Sequence, residues 1–465
     1  MPLRITSTLS GQKEVFEAPD GQVRMYVCGM TPKFHPHVGH ARIYVAADVI
    51  RRHLEYRGFS VRHVQNFTDI DDKIIERAER EGTTPEDVAE RYTRSYFEAM
   101  DALNVARAHV YPSVTQSMSA IVEYVQGLIG RGYGYVVDGD VYFEVGKFEA
   151  YGQLSGRSEE GGLVGARKEM EPGKRDPRDF ALWKRAKPGE PAWASPWGEG
   201  RPGWHIECSA MVRETLGDQI DIHGGGRDLI FPHHENELAQ SEAFTEVRPF
   251  ARYWAHAGLV MTGSEKMSHS LENFTTVRDV LDDIDPMALR LFLLQTHYRS
   301  PIAFTPEVLP GAAKGLARLR GALGGYARGA AAPAETPAFV SQQRAAFEQA
   351  MDDDFNTPAA LGALFDLVRE INRRREGGGA SGDVTAGQAT LVELAEVLGL
   401  RLEAPAVETV DGDVEPFVEL LLATRQRLRE AKQWVLADEI RDGLRGLGIV
   451  VEDRPSGTVW RRESR

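Results

Sequence analysis

The alternation of apolar and polar positions sets out most of this chain before any single residue is considered. Met25 to Cys28 is an apolar run of strand length closed by a loop rich in proline and glycine, after which Ile43, Ala46, Ile50 and Leu54 recur at helical spacing. Phe59 to Phe67 repeats the arrangement, and Thr68-Asp-Ile-Asp-Asp-Lys-Ile-Ile opens a second helix. Two strand-then-helix units in series predict an α/β fold with a parallel, doubly wound sheet, whose ligands bind at the carboxyl ends of the strands. Thr84 caps a further helix with Pro85 at its first position, and Val88, Tyr92, Tyr96, Met100 and Leu103 form its core-facing stripe.

From about residue 116 the pattern changes. A helix is followed by a two-strand hairpin, Tyr135 to Phe143, pivoting on Asp138-Gly139. The next stretch, to about residue 200, reads as irregular loop, an insertion between two halves of the sheet. Its basic cluster, Lys174-Arg-Asp-Pro-Arg178, is taken as a solvated loop. The sheet is expected to resume with strands at Gly203-Trp-His-Ile-Glu-Cys-Ser-Ala-Met and at Gln219-Ile-Asp-Ile-His-Gly-Gly-Gly, with a helix starting near Pro232. Beyond about 305 come long amphipathic helices, with Leu361, Leu364, Val368 and Ile371 on one face and linker-like runs at 324–336 and 376–387. The last segment, about 414 to 465, reads as two helices and a strand-rich tail, and Trp434 is assigned to its core.

A chain of 465 residues exceeds one ordinary core and implies several domains. The N-terminus lacks a signal-length apolar run and no segment approaches the ~20 apolar residues of a membrane span. A cytoplasmic location without membrane association is therefore expected. The formal charge of −14 argues against a general nucleic-acid coat but leaves room for a local basic face. Two cysteines, Cys28 and Cys208, exclude a disulfide framework and leave a metal, a reactive thiol or plain burial.

Several residues bear chemistry. His37 and His40 sit where a strand turns into a helix, and free backbone N–H groups with the positive end of the helix dipole make that place a phosphate site. His233 and Glu237 lie one turn apart on a helix face, and with Cys28 and Cys208 at predicted strand ends they offer two thiolates, an imidazole and a carboxylate, a set suited to zinc. Gly224, Gly225 and Gly226 read either as a tight turn after a strand or as a place where a nucleotide approaches the backbone. Glu265-Lys-Met-Ser-His-Ser270 is either a surface turn or a loop bringing Lys266, hydroxyls and an imidazole toward phosphate oxygens.

Together these pieces resemble one family. His37-Val-Gly-His40 and Lys266-Met-Ser-His-Ser270 are similar to the two signature elements of class I aminoacyl-tRNA synthetases. MYVCGMTP, NFTDIDDKIIERA, RPGWHIECSAM, DIHGGGRDLIFPHHENELAQSE, MDDDFNTPAAL and LADEIRDGLRGLGIVVED resemble cysteinyl-tRNA synthetases in particular, from about residue 20 to the C-terminus. The resemblance implies ATP-dependent activation of L-cysteine to cysteinyl-adenylate and its transfer to tRNA(Cys). It implies one Zn²⁺ per chain held by Cys28, Cys208, His233 and Glu237 and binding the substrate thiolate, which discriminates against serine without an editing domain. His37 and His40 would hold the ATP phosphates together with Gly39, Lys266, Ser268 and His269. Thr31, Thr68, Trp204 and His223 would line the amino-acid pocket, and Gly224 to Gly226 with Asp228 would meet adenosine. Mg²⁺ accompanies ATP without an assignable carboxylate cage.

The implied domains are a Rossmann-like catalytic domain in two halves, 1–115 and 201–245, a connective insertion at 116–200, a connector with the lysine-containing loop at 246–305, a helical bundle at 306–400 and an anticodon-binding domain at 401–465. In the last, Arg425, Arg427, Arg429, Lys432, Arg441 and Arg445 with Trp460 are the candidates for RNA contact. A monomer is expected. One departure stands out: His269 occupies the position of the family's second lysine, which shifts load to Lys266. The rival readings are a tRNA-independent cysteine ligase of the same fold and a synthetase-like binding protein without catalysis.

Overall fold

The computed structural model describes residues 2–157, 173–263, 265–267, 274–326, 335–378, 380–402, 415–446, 449–454 and 457–462, which divide into two units, 1–402 and 403–465. At the centre of the first is an all-parallel four-stranded sheet in the order Ala251–Ala257, Ile220–Gly226, Gln22–Val27, Ser60–Gln65. The chain moves outward on one side for its first two strands and on the other for its last two, so the order reverses between Gln22–Val27 and Ile220–Gly226. That is where a doubly wound sheet opens a crevice at its carboxyl edge. Both expected strand-helix units form: Gln22–Val27 leads to the helix Val38–Tyr56, and Ser60–Gln65 to the helix Asp72–Glu81 capped by Asp71. Thr84 and Asp87 cap the helix Pro85–Ala102 reciprocally, and its predicted stripe is buried.

The central strand divides two cores. Val23, Met25 and Val27 face the larger one and Tyr26 and Cys28 the smaller, as alternation along a strand requires. Within the insertion, Asp138 and Gly139 both take positive φ, 51° and 93°, which is the hairpin turn that Asp-Gly favours.

Four expectations are corrected. The insertion is not irregular throughout: Phe180–Arg185 and Gly200–Pro202 extend the hairpin Gly134–Val137 and Asp140–Phe143 into an antiparallel sheet. Residues 203–211 do not resume the sheet, because Trp204–Leu216 is a helix, and Cys208 lies in its second turn rather than at a strand end. Seven residues in a row from Ile206 to Val212 are buried, so no polar stripe marks the helical period. The fourth strand of the central sheet, Ala251–Ala257, falls in the segment assigned to the connector. Finally, Gly224 to Gly226 are not a turn after a strand but the end of the strand itself.

The helices Ala338–Asp352, Thr357–Glu376 and Ser381–Val397 pack together, with Leu361, Leu364, Val368 and Ile371 inward as expected. A buried ion pair joins this region to the central helix. Asp48 accepts from Arg290, which also donates to the carbonyls of Leu103 and Leu398, each at 2.8 Å. Gly399 lets the guanidinium in, since a Cβ there would lie 2.1 Å from it.

The second unit holds the helices Glu415–Glu430 and Trp434–Gly446 and the antiparallel pair Ile449–Arg454 and Gly457–Arg462. Val418, Leu422, Leu444 and Ile449 fill its small core. Trp434 is not part of that core. It opens the second helix at 56% exposure, beside exposed Val435 and Leu436. Arg425, by contrast, is buried, while Arg427, Lys432 and Arg441 are exposed.

Candidate active site

Cys28 is carried past the end of its strand by one more sheet bond, its N–H donating to the Gly224 carbonyl at 3.0 Å. The chain can turn away only because the next residue is glycine: a Cβ on Gly29 would lie 1.5 Å from the Asn66 carbonyl oxygen. Cys208 reaches the same point from its helix, and the two sulfurs are 3.7 Å apart. His233, in the helical turn before Glu235–Thr245, sets Nε2 2.9 Å from Glu237 Oε1, which is 3.4 Å from the Cys28 sulfur. One ligand atom from each of Cys28, Cys208, His233 and Glu237 lies within 4.8 Å of all the others, and all four residues are buried. The four residues that the resemblance nominated from distant parts of the chain thus share one centre.

Electrostatics make this centre a place for a cation. Burial works against the Glu237 carboxylate, but the imidazoles of His223 and His233 hold it well below the usual carboxyl range. Burial likewise opposes charge on His233, yet Glu237 and Cys208 push it up to about 10. The Cys208 thiol is drawn down to about 6, chiefly by its hydrogen bond with Cys28, while burial and Cys208 drive the Cys28 thiol up. A divalent cation would match the Glu237 carboxylate and allow both sulfurs to ionise. Two sulfurs, a nitrogen and an oxygen at these separations fit tetrahedral zinc.

Around these four residues lie further histidines, of which His223 was expected and His205, His234 and His256 were not. His205 faces His233 through their Nδ1 atoms at 2.9 Å, and Gln240 ties the His205 carbonyl to Ser209. Glu237 Oε2 holds His223 Nε2 at 2.9 Å. His234 Nε2 lies 3.3 Å from the Cys28 sulfur, and its Nδ1 lies 2.7 Å from His256, which reaches Thr8. Cys28, His223, His234 and Glu237 form a second set of four ligand atoms within 4.8 Å, overlapping the first. The adjacent pair His233-His234 was the available signal; His256 offered none.

Of the residues expected to line an amino-acid pocket, Trp204 and His223 adjoin this centre. Trp204, 41% exposed, stacks on His233 with centroids 4.2 Å apart, so it can cover the cluster from the open side. His223 is wholly buried and stacks on Trp254 at 4.5 Å. Thr68 donates to Glu207 at 3.1 Å, and its N–H reaches the Met30 carbonyl at 3.4 Å, next to half-buried Thr31.

The turn expected to hold phosphate is the capped start of Val38–Tyr56. His37 is the N-cap, accepting from the His40 N–H at 3.3 Å, and His40 accepts from the His37 N–H at 3.2 Å. Their rings stack at 3.8 Å, and Gly39 leaves room for them, since a Cβ there would lie 2.7 Å from the His37 ring. Backbone bonds from Val38 to Thr275 and from Val277 to Pro36 clamp this turn to the chain that follows the second signature loop. Lys266 pairs through its backbone with Met261; its side chain, with Ser268 and His269, lies outside the described residues. The strand-end glycines serve packing: a Cβ on Gly225 would lie 2.8 Å from the His234 ring, and one on Gly226 would lie 2.5 Å from an Asp228 oxygen.

Comparison with known proteins agrees with this geometry. The model of the class I (C) tRNA synthetase catalytic domain matches residues 15–314, that of the DALR domain 346–403, and that of the cysteinyl-tRNA ligase anticodon binding domain 411–461. A cysteine–tRNA ligase of Dehalococcoides mccartyi (strain BAV1) is 50% identical over 466 residues, covering 99% of each chain. One from Thermococcus onnurineus is 48% identical over 479 residues and covers 100% of both. In fold, the chain is similar to Mycobacterium tuberculosis methionyl-tRNA synthetase in complex with methionyl-adenylate, with a TM-score of 0.56 and 15% identity over 81% of this chain and 89% of that one. It is similar also to a LeuRS complex with tRNA from Agrobacterium radiobacter, with a TM-score of 0.58 and 13% identity over 82% and 84%. The chain belongs to the cysteine–tRNA ligase family of class I aminoacyl-tRNA synthetases.

Proposed function

We propose that this chain activates L-cysteine with ATP and transfers it to the 3′ end of tRNA(Cys). The observation that carries the proposal is the convergence of Cys28, Cys208, His233 and Glu237 at the carboxyl end of the central strand, whose chain runs on into the capped helix at His37. These four residues would hold one Zn²⁺. Bound there, zinc supplies a soft Lewis acid that takes a thiolate in preference to a hydroxyl, which accounts for selection of cysteine over serine without editing.

The chain's own residues supply the rest. Glu237 has a second partner in His223, which would hold its carboxylate were it to loosen from the metal. Trp204 covers the pocket, and Thr31, Thr68 and His223 line it. As the cysteine carboxylate attacks the α-phosphorus, negative charge grows on the departing pyrophosphate. The imidazoles of His37 and His40 and the positive end of their helix would stabilise it, with Lys266, Ser268, His269 and Mg²⁺. Gly39, Gly224, Gly225, Gly226 and Asp228 would border the nucleotide.

Residues 411–461 would read the anticodon, with Arg427, Lys432 and Arg441 near phosphate and exposed Trp434 or Trp460 stacking on an unpaired base. Among the described residues no helix is long and apolar enough to cross a membrane. A cytoplasmic location and a monomeric state remain part of the proposal. Cysteine-dependent ATP–pyrophosphate exchange followed by charging of purified tRNA(Cys) is the test. Exchange without charging would point to a tRNA-independent cysteine ligase, and the absence of both activities would sink the proposal.

A further inference from the structure

The strand that ends in Cys28 presents one more polar group to the same space. Tyr26 and Cys28 stand two residues apart on extended chain, so their side chains leave the same face, and both lie in the smaller core with Cys208. Tyr26 pairs with His223 on the neighbouring strand, and its ring centroid is 5.4 Å from that imidazole. The Tyr26 side chain is fully buried, yet its hydroxyl has no hydrogen-bond partner among the described residues. Folded proteins rarely leave a buried hydroxyl unpaired, so a group that completes the site is called for. The groups that Cys28, Cys208 and Glu237 turn toward this space are acceptors once ionised, so the phenol's part there is to donate.

We propose that Tyr26 is a positioning residue of the metal centre, its hydroxyl donating to the ligating sulfur of Cys208 in the metal-loaded protein. The inference rests on the zinc reading above. A thiolate strengthens as a hydrogen-bond acceptor when both sulfurs ionise, which would give the orphaned hydroxyl its partner. In return the donor withdraws electron density from that sulfur and fixes its direction, as outer groups do around metal ligands generally. The metal would then be more electrophilic toward an entering substrate sulfur, and Cys208 less prone to swing away.

Tyr26→Phe removes the oxygen and keeps the ring. Wild-type and variant protein are loaded with Co²⁺ as a spectroscopic substitute. The sulfur-to-cobalt charge-transfer band should move to longer wavelength in the variant, and Zn²⁺ retention against a chelator should fall about tenfold. An unchanged band with unchanged retention would overturn the inference. Absence of any sulfur-to-cobalt band in wild-type protein would instead overturn the zinc reading itself, so the two failures are distinct. Should the variant not fold, wild-type protein loaded with ¹¹³Cd²⁺ decides. A tyrosine hydroxyl proton coupled to cadmium through sulfur supports the proposal; a protected tyrosine hydroxyl proton at the site without that coupling refutes it.

Discussion

The sulfurs of Cys28 and Cys208 stand 3.7 Å apart, buried and unjoined. A disulfide would bring them to about 2.05 Å, whereas two ligands of one tetrahedral zinc lie naturally near the observed separation. Without a cation, the same closeness and the thiolate favoured on Cys208 are what thiol oxidation requires. Metal-stripped protein treated with a mild thiol oxidant should therefore form a Cys28–Cys208 crosslink, and zinc-loaded protein should resist it by about tenfold or more in rate. Mass spectrometry of the linked peptides reads the result. Equal crosslinking with and without zinc would mean that the metal does not sit on these sulfurs.

Asp48 and Arg290 make a prediction about stability. Burial alone would raise the Asp48 carboxyl, but the guanidiniums of Arg290 and Arg52 override it and hold the group below its usual range. A depressed folded-state pKa contributes stability that is present above the unfolded value, near 3.9, and is lost as pH falls through the folded value. Asp48→Asn leaves the Arg290 charge buried without its counter-ion and should cost about 3 kcal/mol at pH 7. The gap between variant and wild type should narrow below about pH 4, as the native carboxyl takes up its proton. Urea unfolding at a series of pH values measures this. A gap that is constant with pH would deny the ion pair its part.

Much of the fold could be read from the chain where one face meets solvent. The strand-helix units at 22–56 and 60–81, the cap at Thr84 and the hairpin at Asp138-Gly139 each carry a local signal tied to backbone geometry. The signal failed where burial is complete. Trp204–Leu216 shows no helical period because it is surrounded, and Ala251–Ala257 was assigned to the connector because a pairing partner is not written in a strand's own residues. The four residues at the candidate metal centre were legible as a donor set before the family resemblance was added, although one premise failed: Cys208 was read at a strand end and lies in a helix, brought to Cys28 by topology. His205, His234 and His256 are ordinary histidines until the sheet brings them together.

Trp434 tests the second unit independently of the first. Its ring is 56% exposed, so Trp434→Ala should leave the folding of residues 415–462 almost unchanged. Base stacking on an aromatic ring is worth roughly 1–3 kcal/mol, which predicts a KM for tRNA(Cys) higher by about tenfold. Cysteine-dependent ATP–pyrophosphate exchange, which needs no tRNA, should not move. A loss of exchange in step with charging would place Trp434 in a structural rather than an RNA-reading role.

His269 replaces a permanent cation with one that titrates near neutrality. No geometry enters here, since residue 269 lies outside the described residues. An imidazole with a reference pKa near 6.5 is roughly three-quarters protonated at pH 6 and only about 3% protonated at pH 8, whereas a lysine stays charged at both. If charge at this position helps to stabilise the departing pyrophosphate, His269→Lys should raise the rate of ATP–pyrophosphate exchange several-fold more at pH 8 than at pH 6. A bound phosphate that lifts the imidazole pKa would move this window upward by the same amount and leave its direction unchanged. The ratio of variant to wild-type rate, taken across pH 6 to 9, therefore reports the protonation of His269 in the working complex. A flat ratio would show that position 269 acts through hydrogen bonding or shape, and that Lys266 supplies the cation alone.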